Sequence, residues 1–205
     1  MQKVFILIKR AIISVFNKTW LNKLVNELVK WNVELISTSG TADIIKKMGH
    51  KVINISNYTN MPEGPDGLFK TLHPMIHVGI IGNPRNLEHK EYMEKHKIKK
   101  IDLVVINFYP FEEMVQSGKF NLSKAASHID LGGVALARTA AKAAFLYGRV
   151  TVLTSPNQYE FFLDEMEKNN GDTTHRFKLS NAIFAFKQTS YYDQFIRDHF
   201  SEVLI

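Results

Sequence analysis

The 205-residue chain contains no cysteine, which removes disulfides, thiolate zinc sites and thiol catalysis together. It also lacks a long hydrophobic run. The longest early one, Val4 to Ile8, stops at Lys9 and Arg10, too short to span a bilayer and without the layout of a secretion signal. There is no low-complexity tract and no internal repeat. With 45% hydrophobic and 22% charged residues, the chain has enough apolar material to fold around a core. These absences describe a soluble, cytoplasmic protein of one domain, or of one domain with an appendage. The net charge of +6 raises nucleic acid as a partner. The lysines are scattered, however, as at Lys46-Lys47 and Lys99-Lys100, and no aromatic residues interleave a basic stripe. A solvated surface accounts for that charge better, leaving a few lysines for a small anionic ligand.

What is present alternates. Short apolar runs at Ala11 to Val15, Val33 to Ile36, Val52 to Ile55, Asp102 to Ile106 and Arg149 to Leu153 read as strands. The fourth is nearly all apolar, as expected of a strand buried on both faces. Between them, Trp20, Leu21, Leu24, Val25, Leu28 and Val29 recur at helical spacing, and Ala42 to Met48 reads as a short helix closed by Gly49. Beyond Pro156 the pattern is helical, over Tyr159 to Lys168 and His175 to Phe200, with a break at residues 169–172. Strands alternating with helices predict an α/β fold, a parallel sheet covered on both faces. The division expected is a core over residues 1–154 and a C-terminal helical tail over residues 155–205 packed on it.

In such sheets ligands sit beyond the carboxyl ends of the strands, so the loops there carry the chemistry. Phe16-Asn17-Lys18-Thr19 and Ser37-Thr38-Ser39-Gly40-Thr41 both lead from a strand into a helix. Free backbone N–H groups and the helix dipole suit a phosphate there, although Ser and Thr before a helix also serve as plain N-caps. The stretch from Gly67 to His77 lies in a region rich in Gly and Pro and poor in regular pattern. His73 and His77 stand four apart, but Pro74 lies between them and no acidic residue is near, which favours buried, hydrogen-bonded histidines over a metal pair. Asn107-Phe108-Tyr109-Pro110-Phe111 ends the fourth strand, as ligand contacts or as a packed turn. Asp130 with Gly132 and Gly133 opens a helix of small residues that carries Lys142. Twelve residues separate Asp130 from Lys142, about 18 Å along a straight helix. They meet only if the Gly-Gly turn folds the aspartate back or if substrate bridges them. Taken alone, the aspartate is an N-cap and the lysine a surface charge.

Together these stretches resemble the IMP cyclohydrolase domain of the bifunctional purine-biosynthesis enzyme that also carries an AICAR transformylase domain. The resemblance is carried by Ser14-Val15 with Lys18-Thr19, Gly40-Thr41-Ala42, Lys70-Thr71-Leu72-His73-Pro74, Asn107 with Tyr109-Pro110-Phe111, and Ile129-Asp130-Leu131-Gly132-Gly133. Arg138, Ala140-Ala141-Lys142, Arg149-Val150-Thr151-Val152 and, in the tail, Ala185-Phe186 and Thr189-Ser190-Tyr191-Tyr192-Asp193 extend it. It implies a methylglyoxal-synthase-like α/β sheet and an enzyme that closes the ring of formyl-AICAR to IMP and water, the last step of de novo purine biosynthesis. It implies no metal and no organic cofactor. The partners it implies are a purine nucleotide substrate, a second copy of the chain in a homodimer, and a separate AICAR transformylase where that domain is missing.

By the same resemblance, Lys142 is the proton donor and acceptor working with Asp130, and Lys70 and Tyr109 polarise the formyl oxygen. Lys18, Thr38, Gly40 and Thr41 hold the 5′-phosphate, and Thr71 and Asn107 contact the nucleotide. The chain departs from the pattern at Phe16, where Ser is usual in a Ser-Asp-Lys-x-Gly run. It departs also at Ser39, in place of Gly, at Leu68, in place of Arg, and at Ala143, in place of Asn. A nucleotide-sensing regulatory module on the same fold is the main alternative. Methylglyoxal synthase is another, opposed by the Lys-Thr-Leu-His-Pro and Ile-Asp-Leu-Gly-Gly runs.

Overall fold

A computed structural model describes residues 7–67, 70–116 and 121–203. In chain order the elements are β1 (Arg10–Val15), α1 (Leu21–Lys30), β2 (Glu34–Ser37), α2 (Ser39–Lys47), β3 (Ile53–Asn54), α3 (Ile55–Thr59), α4 (Pro74–Ile81) and α5 (Leu87–Lys95). Then come β4 (Leu103–Asn107), α6 (Phe111–Gln116), α7 (Leu122–Ala126), α8 (Gly132–Tyr147), β5 (Thr151–Leu153), α9 (Tyr159–Lys168) and α10 (His175–Val203). All five expected strands are present, paired in parallel in the order β3-β2-β1-β4-β5.

The side-chain alternation of the strands builds two cores. Ile12, Ile36, Val104, Ile106 and Val152 face one side, against Ile76 and Ile80 of α4, Ala137, Ala140, Ala141 and Ala144 of α8, and Ala182 and Ala185 of α10. Ala11, Ile13, Leu35, Leu103, Val105 and Leu153 face the other, against Leu21, Leu24 and Leu28 of α1 and Tyr159, Phe162 and Met166 of α9. The alanine-rich face of α8 is what lets that helix lie close on the sheet. A third cluster joins Phe111 and Ala125 to Tyr192 of α10, with Phe108, Ile129 and Phe195 packed on it.

One expectation fails. The stretch after Lys70, read as irregular, contains α4. His73 caps it, its Nδ1 accepting the Met75 N–H at 3.1 Å, and Pro74 stands at its first position, where a missing N–H costs nothing. The helix is apolar nearly all round, so periodicity did not reveal it.

The strand order reverses between β1 and β4. Chain leaving β1 runs outward through β2 and β3, and β4 and β5 then add on the other side. The crevice at the carboxyl ends of β1 and β4 is therefore the switch point, where loops diverge and leave room for a ligand.

Candidate active site

A cavity of about 440 Å³ opens at that switch point. Ser14 and Val15 at the end of β1, Ile106 and Asn107 at the end of β4, and Thr38, Gly40 and Thr41 at the start of α2 line it. Lys18, Lys70, Thr71, Tyr109, Asp130, Gly132 and Gly133 complete the wall. One sequence position apart or more than a hundred, these residues converge because the segments that carry them meet at the same rim.

On one side stands the start of α2. The positive end of the helix dipole lies there; of its first N–H groups, that of Ser39 donates to Glu63 Oε1 at 3.4 Å and that of Thr41 to the Thr38 carbonyl at 3.0 Å. Thr38 and Thr41 are buried beneath them, Thr38 Oγ1 lying 3.0 Å from Ser14 Oγ and Thr41 Oγ1 donating to the Val15 carbonyl at 3.2 Å. The Lys18 ammonium curls back to the carbonyls of Val15 and Phe16, and burial lowers its pKa. Ser39, at the position where glycine is usual, donates its hydroxyl to Glu63 at 2.5 Å and accepts from Asn54 Nδ2 at 3.1 Å. That bond ties the 61–67 segment to the head of α2.

On the other side stands Asp130, half-buried just before α8. Its Oδ1 accepts the Gly133 N–H at 2.7 Å, and its Oδ2 accepts the Tyr109 N–H at 3.4 Å. Its own N–H donates to the Tyr192 hydroxyl at 2.8 Å. Burial raises the Asp130 pKa, while the two backbone donors and the Lys70 charge act to lower it. Gly133 allows the fold-back: a Cβ there would lie 2.7 Å from Asp130 Oδ2. A Cβ on Gly132 would strike Thr71 Oγ1.

The structure places three sequence features as follows. Lys142 does not line the cavity. It lies exposed on α8, ten residues beyond Gly132, about 15 Å along the helix, so the fold-back of Asp130 leaves them apart. Asn107 lines the cavity but spends its amide elsewhere. Its Oδ1 accepts the N–H groups of Phe16 at 2.6 Å and Asn17 at 2.8 Å, and its Nδ2 donates to the Asn17 carbonyl at 3.1 Å. It pins the turn after β1. His73 and His77 part company, the first capping α4 and the second bonding through Nδ1 to Thr139 Oγ1 at 2.8 Å. Of the other departures, Ala143 is buried within α8, and Leu68 lies outside the described residues. Sequence reasoning assigned no role to Tyr192 or Glu63, which brace Asp130 and the α2 start. Their signals are a helical stripe on α10 and a lone acid in a loop, neither distinctive.

The profile of the MGS-like domain matches residues 20–135. The chain belongs to the MGS-like domain family. Its MGS-like part is followed by a match to the AICARFT/IMPCHase bienzyme family over residues 140–204. Among relatives, the bifunctional purine biosynthesis protein PurH of Acetivibrio thermocellus is 40% identical over 196 residues, which are 96% of this chain and 37% of the relative. PurH of Xylella fastidiosa (strain 9a5c) is 40% identical over 199 residues, 97% of this chain and 37% of the relative. PurH of Wigglesworthia glossinidia brevipalpis is 39% identical over 203 residues, again 37% of its length. This MGS-like chain thus spans little more than a third of those relatives. The crystal structure of ForH superposes with a TM-score of 0.76 at 26% identity, covering 94% of this chain and 98% of that one.

Proposed function

We propose that the chain is an IMP cyclohydrolase, converting formyl-AICAR to IMP and water. The observation that carries the reading is one cavity with two unlike ends. A helix start with Lys18 and threonines, suited to a phosphate, faces a carboxylate flanked by Lys70 and Tyr109. A nucleotide whose base reacts and whose phosphate does not needs such a pair of ends.

The reaction joins the substrate's carboxamide nitrogen to its formyl carbon. That nitrogen loses one proton as the new C–N bond forms and the formyl oxygen, gaining negative charge, takes one up; the formamide nitrogen then gives up its own proton as the C–O bond breaks, so that the oxygen leaves as water. Asp130 is the group we assign to take the proton and return it to the departing hydroxyl. A carboxyl pushed upward by burial is a better base than an ordinary aspartate and can still give its proton back. Lys70 and the Tyr109 hydroxyl are assigned to the formyl oxygen, where fixed donors favour the transition state over the ground state. Holding both reacting groups in one ring-closing geometry contributes as well. Lys18, Thr38, Gly40 and Thr41 would hold the 5′-phosphate, with Thr71 on the nucleotide. Lys142 has no place in this scheme within a single chain. We infer that the substrate comes from a transformylase, a reading supported by the match to the AICARFT/IMPCHase bienzyme family.

The test is direct. Purified chain mixed with formyl-AICAR should produce IMP, followed by its absorbance, and Lys70→Met should slow this by about a hundredfold or more. Tight binding of IMP without any turnover would instead favour a nucleotide-sensing module.

A further inference from the structure

The turn after β1 presents an aromatic ring that the scheme above leaves unused. Phe16 is 52% exposed and Tyr109 45%, two large rings left open to solvent at the mouth of the cavity. Their centroids lie 5.3 Å apart with the planes tilted by 53°, a favoured arrangement for an aromatic pair. The pair stands between the cavity already described and a second one of about 530 Å³ walled by Phe111, Tyr191 and Tyr192. Phe16, Asn107 and Tyr109 line both.

Phe16 does not hang on a loose loop. Asn107 Oδ1 accepts from its N–H and from that of Asn17, Asn107 Nδ2 donates to the Asn17 carbonyl, and Lys18 Nζ donates to the Phe16 carbonyl at 3.2 Å. Four bonds fix a two-residue turn whose side chain contributes nothing to either core. Holding an apolar ring rigidly in water makes physical sense when another apolar surface is to cover it.

We propose that Phe16 is a specificity-determining residue. Its face, with Tyr109 as the second wall, is the platform on which the planar base of the nucleotide stacks. The proposal rests on reading the cavity as a nucleotide site. Stacking on a π-face tolerates any flat heteroaromatic ring, so the platform selects for a base-bearing phosphate over a bare sugar phosphate.

Calorimetric titration of the full chain with IMP and with ribose 5-phosphate tests this in the wild type, Phe16→Ala and Phe16→Tyr. Phe16→Ala should weaken IMP about tenfold and leave ribose 5-phosphate unchanged, while Phe16→Tyr should match the wild type for both. An equal loss for the two ligands would overturn the proposal, since Phe16 would then shape the phosphate cradle. Unchanged IMP affinity in Phe16→Ala would overturn it too. Wild-type protein that fails to bind IMP at all would remove the nucleotide reading and this platform together. Wild-type protein that binds IMP but does not turn over formyl-AICAR would remove only the enzymatic reading. Phe16 lies outside both cores, so the unfolding temperature of each variant should stay at the wild-type value and confirms that the fold is intact.

Discussion

Asp130 is held by donors yet kept from water, and the two effects oppose each other. The Gly133 and Tyr109 N–H groups and the Lys70 charge favour its ionised form, but desolvation is the larger influence and its pKa lies above the usual 3.8. A raised pKa means that the folded state binds the proton more tightly than the unfolded one. The stability it confers is full below 3.8 and is lost as pH rises through the raised value, so at neutral pH the ionised carboxylate is a net cost. Asp130→Asn keeps an acceptor for the Gly133 N–H and removes the charge. We expect this variant to melt higher than the wild type at pH 7, with the gap closing as pH falls toward 4, and to lose turnover by about a hundredfold to ten-thousandfold. Thermal unfolding across pH, beside the IMP assay, checks both. A lower melting temperature at pH 7 would mean that the carboxylate stabilises the fold. The acid limb of kcat/KM should likewise lie above the ordinary aspartate range.

Elements place these residues, and the start of α8 shows how. Its first turn has glycines where a good helix former would be more stable, because Asp130 and Thr71 occupy the space their side chains would fill. Gly133→Ala should favour the helix by up to about 1 kcal/mol while pushing Asp130 aside. A displacement of about an ångström at a reacting group costs on the order of a hundredfold in rate. The expected signature is a fall in kcat at unchanged or raised melting temperature, read from steady-state kinetics and unfolding curves on the same sample. Much at this scale was legible beforehand. Every expected strand appears within a residue or two of its apolar run, because a doubly covered strand needs one. Tyr159–Lys168 is helical over the expected span. The loops after β1, β2 and β4 do meet, because parallel topology sends them to one rim. The illegible parts have physical causes. α4 is apolar nearly all round, so its sequence carries no helical period. Asn107 reads from sequence either as a ligand contact or as part of a packed turn, because an amide at a strand end reads the same in both settings, and its hydrogen bonds hold the turn after β1.

At the scale of the whole molecule the two ends of the sheet have different work. The carboxyl ends carry the cavity and leave polar groups open to a ligand. The amino ends are closed by buried charge. Arg149, just before β5, is buried and donates to the carbonyls of Ile80, Gly82 at 2.8 Å, Gly79 at 3.2 Å and Ile101 at 3.3 Å. It thereby fastens the end of α4 to the approach to β4. Asp102 beside it accepts the N–H groups of Lys9 at 3.0 Å and Arg10 at 3.2 Å and pairs with Lys100 at 2.8 Å. α9 and α10 pack on opposite faces of the same sheet, and Tyr192 of α10 reaches the backbone of Asp130, so the tail braces the working rim as well. If stability sits at one rim and binding at the other, Arg149→Met should separate them. Carbonyls stripped of a charged donor in a dry interior cost about 3 kcal/mol in total, which for a chain of this size lowers the melting temperature by roughly 6–12 °C. Affinity for IMP, measured by calorimetry well below that temperature, should match the wild type. A parallel loss of affinity would show that the packing of α4 against the sheet also sets the position of Lys70 and Thr71, and that the two rims are coupled through the segment joining them.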